Sequence, residues 1–200
     1  MAPVGTSTST AMRRARLAVL LPTAVLLCAG HALGAARPSV DQLIQRLKDP
    51  AARVRVAAAD DLGSLGPAAR SAVPALTQAL SDESQFVQIS AARALGQVGP
   101  AAASAVPGLV ETLKDRHTAV RETSALALGS LGPAAQEAIP ALAEALTDRI
   151  AIVRKAAARS LGAMGPAAKA GIPALTDALR DKDPSVRTSA NQALKKIQAR

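Results

Sequence analysis

Apolar residues recur along the chain with a period of 33 residues. Each period contains two leucine positions, Leu43, Leu76, Leu109, Leu142 and Leu175 for the first, and Leu47, Leu80, Leu113, Leu146 and Leu179 for the second. Because these leucines are four residues apart, they fall on one face of a helix. A valine then recurs at Val54, Val87, Val120, Val153 and Val186, and Ala58 and Leu62 follow the first valine four and eight residues later. This stripe predicts a second helix, so each period is predicted to be a helix pair.

Glycine and proline mark the ends of the predicted helices. The chain divides without insertion or deletion into five units, residues 34–66, 67–99, 100–132, 133–165 and 166–198. The first four units end on Gly66, Gly99, Gly132 and Gly165, and a proline follows each glycine. Glycine suits the end of a helix and proline the start of the next. A second proline, at Pro74, Pro107, Pro140 and Pro173, lacks an amide hydrogen, so we expect either a kink or a short opening turn before the true helix.

This period is typical of helical solenoids. The segment "AVPALTQALSDESQFVQISAARALGQVG" and its four relatives, within residues 34–198, resemble HEAT repeats of the short bacterial kind related to phycobilisome-lyase HEAT-like repeats. The resemblance implies an all-α, right-handed α-solenoid of five HEAT-like helix pairs. It also implies a stacking ladder between turn aspartates and second-helix arginines, here Asp49, Asp82, Asp115, Asp148 and Asp181 with Arg55, Arg121, Arg154 and Arg187. Gln88 replaces one arginine, so we expect the second rung to be weaker.

The first and last units carry polar residues where the other units carry small ones. These are Gln42, Arg46 and Asp61 in the first unit and Asn191, Lys195 and Lys196 in the last. A terminal unit of a solenoid lacks one neighbour, so its outer face turns polar. We therefore expect residues 37–200 to form a complete array of five units.

The first 36 residues have the layout of a secretory signal peptide. Arg13, Arg14 and Arg16 precede the apolar run "LAVLLPTAVLLCAG", and small residues follow at 34–36. This order predicts cleavage at 34–36 and export to the periplasm or the medium. Met12 is an alternative start, and residues 17–36 could instead remain as a membrane anchor, since they carry no charged side chain. A lipid on Cys28 and a twin-arginine signal are minor alternatives.

Composition argues against catalysis and against nucleic-acid binding. Beyond the signal segment the chain has no cysteine and one histidine, His117, which offers no metal or nucleophile constellation. We therefore expect no enzymatic activity and no cofactor. The net charge of +9 is basic, but Phe86 is the only aromatic residue, and single-stranded nucleic acid is bound largely by aromatic stacking.

Two positions of the second helix vary in chemistry while their neighbours stay constant. They lie two and six residues after the valine, at Val56, Ile89, Glu122, Lys155 and Thr188, and at Asp60, Arg93, Leu126, Arg159 and Gln192. Because the two positions are four residues apart, they form one ridge along the second helices. Repeats of this type line their concave side with the second helix, so this ridge is the predicted contact surface.

The prediction is a monomeric, non-catalytic scaffold that binds a peptide or small protein domain along the ridge. Lys155 and Arg159 make the ridge basic, which favours an acidic or amphipathic partner. One alternative is a HEAT-like accessory of an enzyme that modifies a protein or a prosthetic group. A solenoid that binds nucleic acid is a third hypothesis. The simplest interpretation of the ridge is a solvated face with no binding role.

Overall fold

A computed structural model describes residues 38–199 as a stack of helix pairs. The ten α-helices are α1 (Val40–Arg46), α2 (Ala52–Ser64), α3 (Val73–Ala79), α4 (Gln85–Val98), α5 (Val106–Thr112), α6 (Thr118–Leu131), α7 (Ile139–Ala145), α8 (Ala151–Met164), α9 (Ile172–Ala178) and α10 (Pro184–Gln198). Odd-numbered helices are the first helices of the five units, and even-numbered helices are the second. The described residues contain no strand, and none of their helices is long and apolar enough to cross a membrane. The predicted signal segment, residues 1–36, lies outside the described residues.

A short 3-10 helix connects each unit to the next. These connectors are Gly66–Ala72, Gly99–Ala105, Gly132–Ala138 and Gly165–Gly171. Each opening glycine has a positive φ between 56° and 74°, a conformation that other residues rarely adopt, and the proline after it begins the 3-10 turn. The second proline falls in the first turn of α3, α5, α7 and α9. Of the two expectations for this proline, the short opening turn before the true helix is confirmed, and that turn is the 3-10 connector.

The repeated leucines and valines form one continuous core. The first leucine position is at most 1% exposed in every unit, and the valine is fully buried from the second unit onward. The second leucine position is buried in four units but 38% exposed at Leu179 in the last unit. No further unit follows Leu179 within the described residues, which accounts for its exposure. Burial of these side chains supplies most of the stabilisation of such a stack.

Neighbouring second helices pack with their backbones in close approach. A Cβ atom added to Gly129 of α6 would lie 2.6 Å from Ser160 Oγ and 2.8 Å from Ser160 Cα of α8. Ser160 Oγ also donates a hydrogen bond of 2.7 Å to the carbonyl of Ala125. First helices of neighbouring units touch sparsely, mostly through the 3-10 connectors. The more closely spaced layer of a curved stack lies inside, so the second helices line the concave side.

Three ion pairs join successive units at their intra-unit turns. Arg55 donates two hydrogen bonds of 2.8 Å to Asp82 of the next unit. Arg121 pairs in the same way with Asp148, and Arg154 with Asp181, at distances between 2.6 and 3.0 Å. The three arginines are only 5% to 7% exposed, so these bonds form away from water. Two parallel bonds from a planar guanidinium fix both distance and orientation between units.

The ladder is interrupted at the rung where the sequence predicts it. Gln88 stands in the arginine position of α4, and its buried Oε1 has no hydrogen-bond partner. Asp115, the aspartate of that rung, accepts from the amide of His117 at 2.7 Å, as the paired aspartates accept from the equivalent amide, but it lies 2.9 Å from His117 Nδ1 where they bond an arginine. At the end of the array Arg187 donates only to its own turn, to the carbonyls of Asp181 and Lys182.

The pairing changes the acidity of the ladder aspartates. Burial alone would raise the pKa of Asp82 and of Asp148, but hydrogen bonds from the paired arginine and from a nearby backbone amide lower it on balance. Hydrogen bonds from Arg154 are the main reason that the pKa of Asp181 is also lowered. A carboxylate whose pKa is lower in the folded state stabilises the fold above its unfolded pKa of about 4. That stabilisation is lost as the pH falls through the folded pKa.

Removing one rung should destabilise the array. Asp148→Asn should lower the free energy of unfolding at pH 7 by about 3 kcal/mol, because it leaves the buried Arg121 without its counter-charge. Asp115→Asn is the matched control and should cost less than about 1 kcal/mol, because His117 is the only ion-pair partner of Asp115 among the described residues. Urea unfolding followed by circular dichroism measures both, and equal losses would contradict a stabilising ladder.

The same variant tests the acid dependence. The unfolding free energy of the wild type should decrease as the pH is lowered below about 4, and this decrease should be smaller in Asp148→Asn, which has one ladder carboxylate fewer. Identical pH dependence in the two proteins would show that Asp148 has no lowered pKa.

Candidate binding surface

The ridge lies on the side of the second helices that faces away from the first helices. At 100° per residue its two positions lie about 200° and 240° from the buried valine. Arg93, Arg159, Thr188 and Gln192 are exposed, whereas Val56, Asp60, Ile89, Glu122, Leu126 and Lys155 are half-buried. Val56 and Leu126 pack partly against the core. All ten predicted residues therefore lie along one surface, and both positions are exposed only in the last unit.

Two ridge residues in the first two units neutralise each other. Nη2 of Arg93 lies 2.6 Å from Oδ1 of Asp60, and the same nitrogen is 3.4 Å from Ser90 Oγ. The two side chains are 51% and 42% exposed, so the pair is near the surface. Arg93 consequently adds little net positive charge to the ridge.

A groove opens between the second helices of the last three units. Its volume is about 390 Å³, and the ridge residues Leu126, Arg159 and Gln192 line it together with Ser130, Ser189 and Lys196. Its lining contains no carboxylate. The groove therefore offers two cations and several hydrogen-bonding groups over a partly apolar floor.

Within the described residues, four cations on this side of the array have no acidic partner: Arg53 at the start of α2, and three that lie together in the fourth and fifth units. Lys155, Arg159 and Lys196, called the cationic patch below, make no ion pair with any carboxylate between residues 38 and 199. Arg55, Arg121 and Arg154 of the ladder differ, because each is paired with an aspartate. The uncompensated positive charge of the concave side is thus concentrated in the fourth and fifth units.

Sequence comparison agrees with this architecture. A family model for HEAT repeats matches residues 40–107 and 106–195. The chain belongs to the HEAT-repeat family. No protein of curated function matches the sequence.

Solved HEAT and armadillo proteins share the fold. The chain is 26% identical to an engineered protein, covering 80% of each chain with a TM-score of 0.65. It is 28% identical to a chain in the complex of CpcE and CpcF of phycocyanin lyase from Nostoc sp. PCC7120, covering 84% of this chain and 68% of that one with a TM-score of 0.67. A designed armadillo repeat protein in complex with the peptide (KR)4 is 19% identical, with coverages of 80% and 82% and a TM-score of 0.66.

Three residues outside the predicted ridge are also exposed on this side of the HEAT array or line the groove. Phe86 is 64% exposed and Ile152 is 47% exposed, and each directly precedes the valine of its second helix. That position lies about 260° from the valine, only about 20° from the second ridge position. Lys196 was assigned only to the terminal cap, yet it lines the groove with Arg159. Helical angle identifies Phe86 and Ile152 from sequence, whereas the contribution of Lys196 depends on the packing of α8 against α10.

Other chemistry is sparse in the described part of the HEAT array. Residues 38–199 hold no group of three or more histidine, cysteine or acidic side chains that could bind a metal ion. A larger cavity of about 910 Å³ opens at the turns of the first two units, but its Arg55 and Asp82 are already bonded to each other. The groove is therefore the best candidate site.

Proposed function

We propose that this protein is an exported, non-catalytic scaffold that binds a peptide or small protein domain on its concave face. The observation that carries the proposal is the cationic patch beside a groove without carboxylates, on a face whose residues vary while the packed frame stays constant. Uncompensated cations attract an acidic partner and raise its association rate. We also propose, from the family resemblance, that the solenoid is right-handed.

The related structures support a protein partner in general. The designed armadillo protein is bound to a peptide, and CpcE and CpcF form a complex with each other. The peptide (KR)4 is basic, whereas the uncompensated charge on the concave face of this chain is positive. An acidic segment is therefore the complementary partner here.

A second candidate is an accessory role in a modifying enzyme. The likeness to the phycocyanin lyase complex favours it, since that chain is similar over 84% of this one. Such a role needs convergent polar groups, and Arg159, Gln192 and Lys196 do line one groove. The scaffold is the better supported function, because the unpaired cations beside the groove give a specific charge complement for a protein partner, whereas the accessory role rests on likeness to another protein.

Charge reversal in the groove tests the scaffold. The full chain is titrated into a fluorescein-labelled (DE)4 peptide and, separately, a labelled (KR)4 peptide, and the binding is followed by fluorescence anisotropy at low salt. The (DE)4 peptide should bind, and Arg159→Glu with Lys196→Glu should weaken its affinity by about tenfold or more, since both charges face the groove. The (KR)4 peptide should bind more weakly to the wild type.

The matched control reverses two cations of the 3-10 connectors, Arg70→Glu with Lys169→Glu, so the change in net charge is equal. This control should keep most of the wild-type affinity, and both variants should melt near the parent temperature. An equal loss of affinity for (DE)4 in the two double variants would show that the binding site is not in the groove. Failure of the wild type to distinguish the two peptides would remove the case for an acidic partner.

Export is tested separately in a bacterial host. The protein should be recovered from the periplasm or the medium with a new N-terminus near Ala35, Ala36 or Arg37, determined by mass spectrometry. Leu26→Arg with Leu27→Arg interrupts the apolar run and should leave the full-length chain inside the cell. Full-length wild type in the membrane fraction would indicate an anchor instead, and recovery from the cytoplasm would overturn export.

A further inference from the structure

Large apolar side chains are exposed on the concave side beside the cationic patch. Phe86 at the start of α4 and Ile152 at the start of α8 occupy equivalent positions two units apart, with Ala119 of α6 between them. We call these three residues the apolar row. Phe86 and Ile152 are more exposed than any other large apolar side chain among the described residues. Two large apolar side chains exposed at equivalent positions on one surface offer area that apolar side chains of a partner can bury.

The apolar row and the cationic patch occupy different parts of the same face. The row starts in the second unit, where the ion pair between Arg93 and Asp60 leaves little net charge on the ridge. It reaches Ile152 in the fourth unit, one and two helical turns before Lys155 and Arg159 on the same side of α8. The apolar row therefore lies at the N-terminal ends of the second helices, and the cationic patch lies farther along α8 and α10 toward their C-terminal ends.

The distance between neighbouring second helices determines how long a peptide must be to contact both Phe86 and Ile152. Packed helices are about 8 to 10 Å apart, so Phe86 and Ile152 are separated by about 16 to 20 Å. An extended peptide advances about 3.3 Å per residue, so five or six residues cover this distance. Lys155 and Arg159 follow Ile152 on the same helix at about 4.5 and 10.5 Å along its axis, so carboxylates after the second apolar side chain would meet the cationic patch where the peptide turns along α8.

We propose that the concave face binds an extended acidic peptide segment with two apolar side chains five or six residues apart, followed by a cluster of carboxylates. The first apolar side chain packs on Phe86, the second packs on Ile152, and the carboxylates contact the cationic patch. This inference rests on the proposed function and adds the register of the partner. The apolar contacts give the partner a fixed position, which the charges alone do not.

The chemistry of the row favours a peptide over a nucleic acid. Successive bases of a single strand stack on successive aromatic side chains, and here Ala119 and Ile152 occupy the positions after Phe86. Apolar side chains of a peptide, in contrast, bury area against phenylalanine and isoleucine alike.

The register can be measured with a series of labelled peptides. Each peptide carries a phenylalanine, a glycine-serine spacer, a leucine and then Asp-Glu-Asp-Glu, with spacers of one, three, five, seven or nine residues. Anisotropy titrations of the full chain should give the tightest binding with the spacer of five residues, about fivefold tighter than with one or nine. Equal affinity across the series would overturn the proposed register.

Substitutions in the apolar row test whether Phe86 and Ile152 contact the apolar side chains of the peptide. Phe86→Ala and Ile152→Ala should each weaken the five-spacer peptide about three- to fivefold, and neither should weaken (DE)4. Phe86→Ala should have no effect when the peptide phenylalanine is replaced by alanine. Ala101→Ser, on an exposed position of a 3-10 connector, is the control and should change nothing.

The two proposals fail in different ways. If (DE)4 binds in the groove but the row variants bind every peptide like the wild type, the scaffold stands and this inference is wrong. If neither (DE)4 nor any peptide of the series binds, both are wrong. Tighter binding of the oligonucleotide dT12, insensitive to Phe86→Ala, would also overturn the inference in favour of a nucleic-acid partner.

Discussion

The arrangement of this protein depends on the close contact between the second helices of neighbouring units. Glycines at one position of α2, α4, α6 and α8 meet a small residue of the following helix, Ala94, Ala127, Ser160 or Ala193. A side chain in place of the glycine, or a larger side chain in place of the alanine or serine, would separate the two backbones. This contact brings the second helices nearer to each other than the first helices are, and so it makes their outer surface the concave side. The arginine–aspartate ladder then fixes the orientation of the units at their turns.

The same contact explains how the surface is free to vary. Residues that face the core or the neighbouring helices are aliphatic or small, apart from a methionine at Met164, a threonine at Thr112 and the ladder arginines. The outward positions are less restricted. They carry the ion pair between Asp60 and Arg93, exposed apolar side chains at Phe86 and Ile152, and a group of unpaired cations in the fourth and fifth units. Equivalent positions on successive units are neighbours in space, so a linear partner meets this series in order.

Much of the fold could be predicted because the sequence contains five copies of the same unit, which can be compared with one another. Comparison of five copies identified the buried leucines, the helix pairs and the missing rung at Gln88. The polar residues of the first and last units lie on outer faces, as the comparison predicted, since Asp61 and Lys195 are exposed where the equivalent residues of other units are packed. The ion pair between Asp60 and Arg93 was missed although its members are 33 residues apart, because both were assigned to the ridge only by their variability. The groove could not be foreseen, since it depends on how α6, α8 and α10 pack against each other through small side chains.

The most direct test of this account is the free energy of unfolding of Gly129→Ala, measured in urea beside Gly108→Ala. The added Cβ of Gly129→Ala would meet Ser160 Oγ, Cα and Cβ at 2.6 to 2.8 Å. In Gly108→Ala the Cβ would meet only the side chains of Leu80 and Thr77 at 3.1 and 3.3 Å. Alanine is otherwise the better helix former by about 1 kcal/mol, so the account predicts a loss of about 2 kcal/mol or more at Gly129 and little loss at Gly108. Parental stability in Gly129→Ala would contradict the close approach of the second helices on which the concave surface depends.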